Sequence, residues 1–135
     1  MSRKLARVLE KIEHAGATPA IRTIRRGVEK ESLRVDANGT LSQLPHPPGL
    51  GSPLTHPSIT TDYSEALLEF ITPVEGSVAG VLDQLEKTHR FAYQHLHQER
   101  LWVTSMPCIV HGDDSIPIAR YGSSNIGQMK HFYRV

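Results

Sequence analysis

Cysteine is nearly missing from this chain. Its single thiol, Cys108, has no partner in the polypeptide, so an internal disulfide is excluded and a reducing, cytoplasmic setting is expected. Also lacking is any run of about 18 apolar residues, the minimum for a membrane-spanning helix. The opening stretch "MSRKLARVLEKIEHAG" has no uninterrupted apolar core and no small-residue cleavage site, which excludes a secretory signal. Charge of one sign is not in excess: 15 Lys and Arg stand against 14 Asp and Glu. That balance gives no basic groove for nucleic acid and no acidic tail. No internal repeat, low-complexity run or P-loop occurs. What is left fits one ordinary domain in 135 residues, with neither a membrane nor a nucleic acid as partner.

Apolar periodicity places the elements. Leu5, Val8, Leu9 and Ile12 recur at helical spacing, predicting a helix over 3–14 that packs on a sheet and ends near Gly16. Residues 23–35 alternate like a strand. Asn38-Gly39 then turns the chain into a return strand at Thr40 to Leu44. The segment "LPHPPGLGSPLTHP" carries five prolines and can form neither a ladder nor a helix interior. "ALLEFIT", bounded by Pro73, reads as a strand buried on both faces. The longest helix is predicted from Gly76 to about Gln98, capped by Ser77, with Val78, Val81, Leu82, Leu85, His89, Ala92 and Leu96 as its inner stripe. A last helix starts after Ser124 or Asn125, with Met129, Phe132 and Tyr133 inward. It has no stop signal before Val135, so the chain reads as cut within it.

Chemistry concentrates in the carboxylates. Alternation puts Glu29 and Glu31 on one side of the first strand, roughly 7 Å apart. Like charges that close raise one another's pKa or call for a cation. Glu69 lies among Leu67, Leu68, Phe70 and Ile71, where an ionised group needs a partner, and Asp62 sits just upstream. Two readings are open on these residues alone. The acids could converge on a hard divalent ion such as magnesium. Alternatively, Glu29 and Glu31 pair with Arg25, Arg26, Lys30 or Arg34 on a solvated face, and Glu69 with a buried arginine. His89 is expected as a packed stripe residue and Cys108 as buried and inert. Ser123-Ser124-Asn125 is expected as a helix cap.

The stretches "RGVEKESLRV", "LTHPSITTDYSEALLEFITP", "SMPC" and "YGSSNIGQMKHFYR", in this order and spacing, resemble the N-terminal portion of the proteobacterial glutamate–cysteine ligases. The resemblance implies an α+β fold, a glutamine-synthetase-like antiparallel sheet with flanking helices, of which residues 1–135 hold only part of the catalytic domain. It implies an ATP-dependent ligase of glutathione biosynthesis. The γ-carboxylate of glutamate is phosphorylated, and the amine of cysteine displaces the phosphate. Magnesium is the implied cofactor, with glutamate, cysteine and ATP as small-molecule partners. Carried over by position, Glu29, Glu31, Asp62 and Glu69 are metal-binding, and no residue is assigned as catalytic. Tyr63 falls where the family has an aromatic residue, more often phenylalanine, near the cysteine side chain. Tyr133 and Arg134 match positions beside the bound substrates. The remainder of the family's chain is implied as a missing partner. Without it the piece is expected to be inactive, a non-catalytic or merely metal-binding fragment, with open sheet edges and exposed apolar surface.

Overall fold

The computed structural model describes residues 2–133. Four strands form one antiparallel sheet in the order β2-β3-β1-β4, with β1 at Glu29–Val35, β2 at Ile59–Thr61, β3 at Leu67–Ile71 and β4 at Arg100–Leu101. Helices α1 (Arg3–His14), α2 (Thr18–Arg22), α3 (Val78–His95) and α4 (Asn125–Phe132) complete an α+β arrangement.

The first strand is shorter than its alternation predicts. Val28 still pairs with Thr72, but Arg26 bridges Glu75, so the register slips by one residue between them. Two residues on the β3 side, Pro73 and Val74, oppose Gly27 alone. Pro73 has no N–H to give, and the ladder breaks there as a bulge. After β1 the chain turns at Asp36–Thr40, with Gly39 at φ 81° and the Asp36 carboxylate accepting from the N–H groups of Asn38 and Thr40. The expected return strand is reduced to two isolated bridges, Leu41 to Val35 and Thr40 to Ile109.

One sheet face is covered. Phe70, Leu68 and Ile59 project from it against Ala92 and Leu96 at the α3 side, with Leu50 of the proline-rich segment and Leu101 closing the same cluster. Ser77 caps α3 through its Oγ, which accepts from the Gly80 N–H at 3.0 Å. Residues 44–57 are loop apart from one 3-10 turn, Pro48–Leu50, and this turn sits on α3. Gly49 approaches so closely that a Cβ there would lie 2.3 Å from His95 Nδ1.

Four expectations about burial need correcting. β3 is not buried on both faces: Leu68 and Phe70 are buried, whereas Leu67, Glu69 and Ile71 are half-exposed, because helices cover only one side. α1 buries no residue, and Leu5, Val8 and Leu9 stay near half-exposed; the helix forms but does not dock on the sheet. In α4 only Gly127 is buried, and Met129, Phe132 and Tyr133 face outward. On α3, Val78 and Leu82 are exposed too, so its buried stripe is narrower than its sequence pattern.

Candidate active site

The uncovered sheet face carries the acids. In the β1–β3 pairing Glu31 stands directly opposite Glu69, and Glu29 opposite Ile71. Residues opposite one another in an antiparallel pair share a face. The backbone bonds Arg34 N–H to Ala66 O and Thr72 N–H to Val28 O mark the hydrogen-bonded pairs of this ladder. By alternation Glu31 and Glu69 form a non-hydrogen-bonded pair, whose Cα atoms lie about 4.5 Å apart, the closer of the two spacings. On the other side of β3, Thr60 opposes Glu69 and Asp62 N–H bonds to Leu67 O. Asp62 is therefore on the same face, one diagonal step from Glu69, a separation of about 7–8 Å. All four acids singled out in the sequence share this face of the sheet.

Their electrostatics follow from the arrangement. The Glu69 carboxyl is pushed above the ordinary glutamate range, first by partial burial, then by the charges of Glu29, Asp62 and Glu31, with Lys130 pulling the other way. Among the described residues Glu29, Glu31 and Glu69 make no ion pair. The alternative pairing with Arg34 is closed off, since Arg34 projects through the opposite face. There it is fully buried, and its Nη1 donates to both carboxylate oxygens of Glu99, each at 2.8 Å. Lys30 also faces that side, bonding Ser32 Oγ and lying over the Phe70 ring. No three His, Cys, Asp or Glu side chains among the described residues are gathered into a ready-made metal cluster. The backbone supplies the common face, and the side chains remain spread along it.

The face has an aromatic and cationic border. Tyr63, just after Asp62, donates its hydroxyl to Lys130 O on α4 at 2.9 Å. Tyr121 is buried and donates to Thr61 O. Asp62, Glu69, Thr60, Tyr121 and Lys130 line one hollow of about 290 Å³. A second hollow, of about 310 Å³, lies at the Glu31 end against Trp102 and the loop of Thr104 to Pro107. Tyr133 is exposed at the end of α4, away from burial, and Arg134 lies outside the described residues.

Sequence reasoning overlooked two buried acids. Glu99 takes Arg34 and the Ser42 hydroxyl. Glu65 accepts from the backbone N–H of His46 at 2.8 Å and of Arg120 at 2.6 Å, pinning two loops to the start of β3. Neither has a local signature, because all their partners are distant in sequence. Lys130 was overlooked as well; its place in "GQMKHFYR" gives no hint that it reaches Asp62. Cys108 is buried and its thiol is raised by burial, and His89 packs edge-on to Phe70 at 4.6 Å, both as expected of packed residues.

Comparison with known proteins identifies relatives of this chain. The family model for glutamate-cysteine ligase matches residues 9–135. The glutamate–cysteine ligase of Alcanivorax borkumensis is 56% identical over 121 residues, covering 90% of this chain and 23% of that protein. That of Pseudomonas aeruginosa is 55% identical over 134 residues, covering 99% of this chain and 25% of its own length. The chain thus spans about a quarter of the length of the curated relatives it matches. Among solved structures, the Francisella tularensis glutamate–cysteine ligase in complex with AMP superposes with a TM-score of 0.74 at 43% identity, over 82% of this chain and 22% of that one. A bifunctional glutathione synthetase from Pasteurella multocida gives 0.76 at 29% identity, over 90% and 16%. With the family model over nearly the whole chain and relatives more than half identical to it, the chain belongs to the glutamate–cysteine ligase family.

Proposed function

We propose that this chain forms the metal-holding wall of an ATP-dependent ligase that joins the amine of L-cysteine to the γ-carboxylate of L-glutamate. The observation that carries the reading is the Glu31–Glu69 pair, two like charges set opposite each other on the open face of a family member's central strands. Such a pair is costly unless a cation compensates it. Magnesium suits the donors. It takes hard oxygen ligands, usually one or two carboxylates together with phosphate oxygens and waters. A preformed cage of three acids is therefore not required, and Glu29, Glu31, Glu69 and Asp62 on one face suffice to receive an ion that arrives with a nucleotide. Bound there, the ion supplies neutralisation of phosphate charge during phosphoryl transfer.

In this reading the γ-carboxylate of glutamate attacks the terminal phosphorus of ATP, ADP leaves, and an acyl phosphate forms. The cysteine nitrogen then attacks the acyl carbon and phosphate departs. The chain's part is positional: rigid strands aim the acids, and Tyr63, Tyr133 and Arg134 are proposed for contact with the substrates. The AMP bound in the Francisella tularensis relative supports a nucleotide as co-substrate. Among the described residues no helix is long and apolar enough to cross a membrane, which is consistent with a cytoplasmic enzyme. The 135 residues alone hold about a quarter of the relatives' length and are expected to give no turnover.

The test is a coupled assay of ADP release with glutamate and cysteine, in a full-length ligase carrying this chain as its matching segment. Glu69→Gln is expected to abolish turnover and weaken the magnesium dependence. Unchanged turnover at limiting magnesium would remove Glu69 from the mechanism, whereas no ADP release from the unsubstituted ligase would leave a non-catalytic remnant of the fold as the better reading.

A further inference from the structure

Lys130 lies at the Asp62 end of the acid row. Its Nζ donates to Asp62 O at 2.5 Å and stands 3.8 Å from Asp62 Oδ1. It sits over two aromatic rings, 5.3 Å from the Tyr121 centroid and 5.8 Å from that of Tyr63. The side chain is only 17% exposed, whereas Asp62 is 46% exposed. The same residue's carbonyl accepts from the Tyr63 hydroxyl. An ammonium held by a carbonyl and two π faces is fixed in place with its charge largely unspent, because neither kind of partner neutralises it. A salt bridge at 3.8 Å to a half-exposed carboxylate adds little. The charge is therefore free to act on the row, and Glu69, in the same hollow, feels it.

We propose that Lys130 is a resident cation of the acid row, a positioning residue that shares the row with the incoming divalent ion and limits how tightly that ion is held. This rests on the reading of the row as the metal-holding wall. It goes beyond that reading by assigning Lys130 the job of keeping the face from being over-negative while it is empty. Such a device also keeps a metal–nucleotide complex releasable at the end of a turnover. The effect has a sign that distinguishes it from a structural role. A lysine that merely buttresses α4 would, when lost, loosen the face and weaken metal binding. A resident cation, when lost, leaves the acids less compensated, and metal binding tightens.

The experiment is a calorimetric titration with Mg²⁺, and with Mn²⁺ as a second probe, of a full-length ligase carrying this chain as its matching segment and preloaded with a non-hydrolysable ATP analogue, in wild type, Lys130→Met, Lys130→Arg and Glu69→Gln. Lys130→Met keeps the stem and removes the charge; its affinity is expected to rise on the order of tenfold, the repulsion of a single and a double charge across several ångströms of partly solvated surface. Lys130→Arg keeps the positive charge and can still lie against an aromatic ring, and it is expected not to show the tightening of Lys130→Met. Glu69→Gln is expected to lose the binding, which identifies the site. Equal or weaker binding by Lys130→Met overturns the resident-cation role and leaves the acid row standing. No binding by either wild type or Lys130→Met overturns the acid-row reading itself, and the proposal with it.

Discussion

At the scale of single residues, Glu69 shows how one position can serve a site at the expense of the fold. Its carboxyl is raised by partial burial and by three acidic neighbours. Between the ordinary glutamate value, about 4.3, and the raised one, the folded chain holds a proton that the unfolded chain has released. Folding stability from this residue therefore falls as pH rises through that window. The penalty is absent below the unfolded value and complete above the folded one. Glu69→Gln removes it, so the variant is expected to be more stable than wild type at neutral pH and to converge with it in acid. Urea midpoints across a pH series check this, and parallel curves at all pH would contradict it. The acids were legible in the sequence because alternation on a strand and an acid inside an apolar run are local patterns. Arg34, Glu99, Glu65 and Lys130 were not, since each acquires its meaning from a partner at least 19 positions away.

Among elements, the buried Arg34–Glu99 pair ties the middle of the sheet to the end of α3. Arg34 also donates to the carbonyls of Leu44 and Glu65, so one guanidinium gathers β1, the proline-rich loop, the turn before β3 and the entry to β4. Breaking a buried pair strands a charge. Arg34→Met is expected to cost about 3–5 kcal/mol, and the double change Arg34→Met with Glu99→Leu distinctly less. Equilibrium urea unfolding of the three chains measures this; a double variant as unstable as the single would show that the carbonyl contacts, not the ion pair, dominate. The elements themselves were mostly readable. α3, with its Ser77 cap, and the turn at Gly39 follow from local chemistry. The packing of α1 and α4 did not, because an apolar stripe says that a face seeks cover without saying whether the same chain provides it. Pro73 was visible as a stop, but the bulge it makes opposite Gly27 depends on which strand lies alongside.

For the whole molecule, the uncovered apolar surface is the dominant property. Val103 is 83% exposed, Phe132 75%, and Tyr133 and Met106 70% each. Exposed residues of this kind, clustered on α4 and the loop after β4, make the chain on its own prone to associate. Sedimentation velocity is expected to show a weight-average mass rising with protein concentration, and Phe132→Ser with Met129→Ser to reduce it; a monomer at every concentration would argue that these side chains fold back in solution. The register of the two middle strands carries a different consequence. The pleat that hides Phe70 and Leu68 is the same one that presents Glu69. A single inserted or deleted residue within Glu29–Val35 or Leu67–Ile71 would invert both at once, sending acids inward and the core outward. Changes in length are thus barred from these two short runs yet admissible across 44–57, so the history of such a chain should be written in substitutions along its strands and in gaps only along its loops.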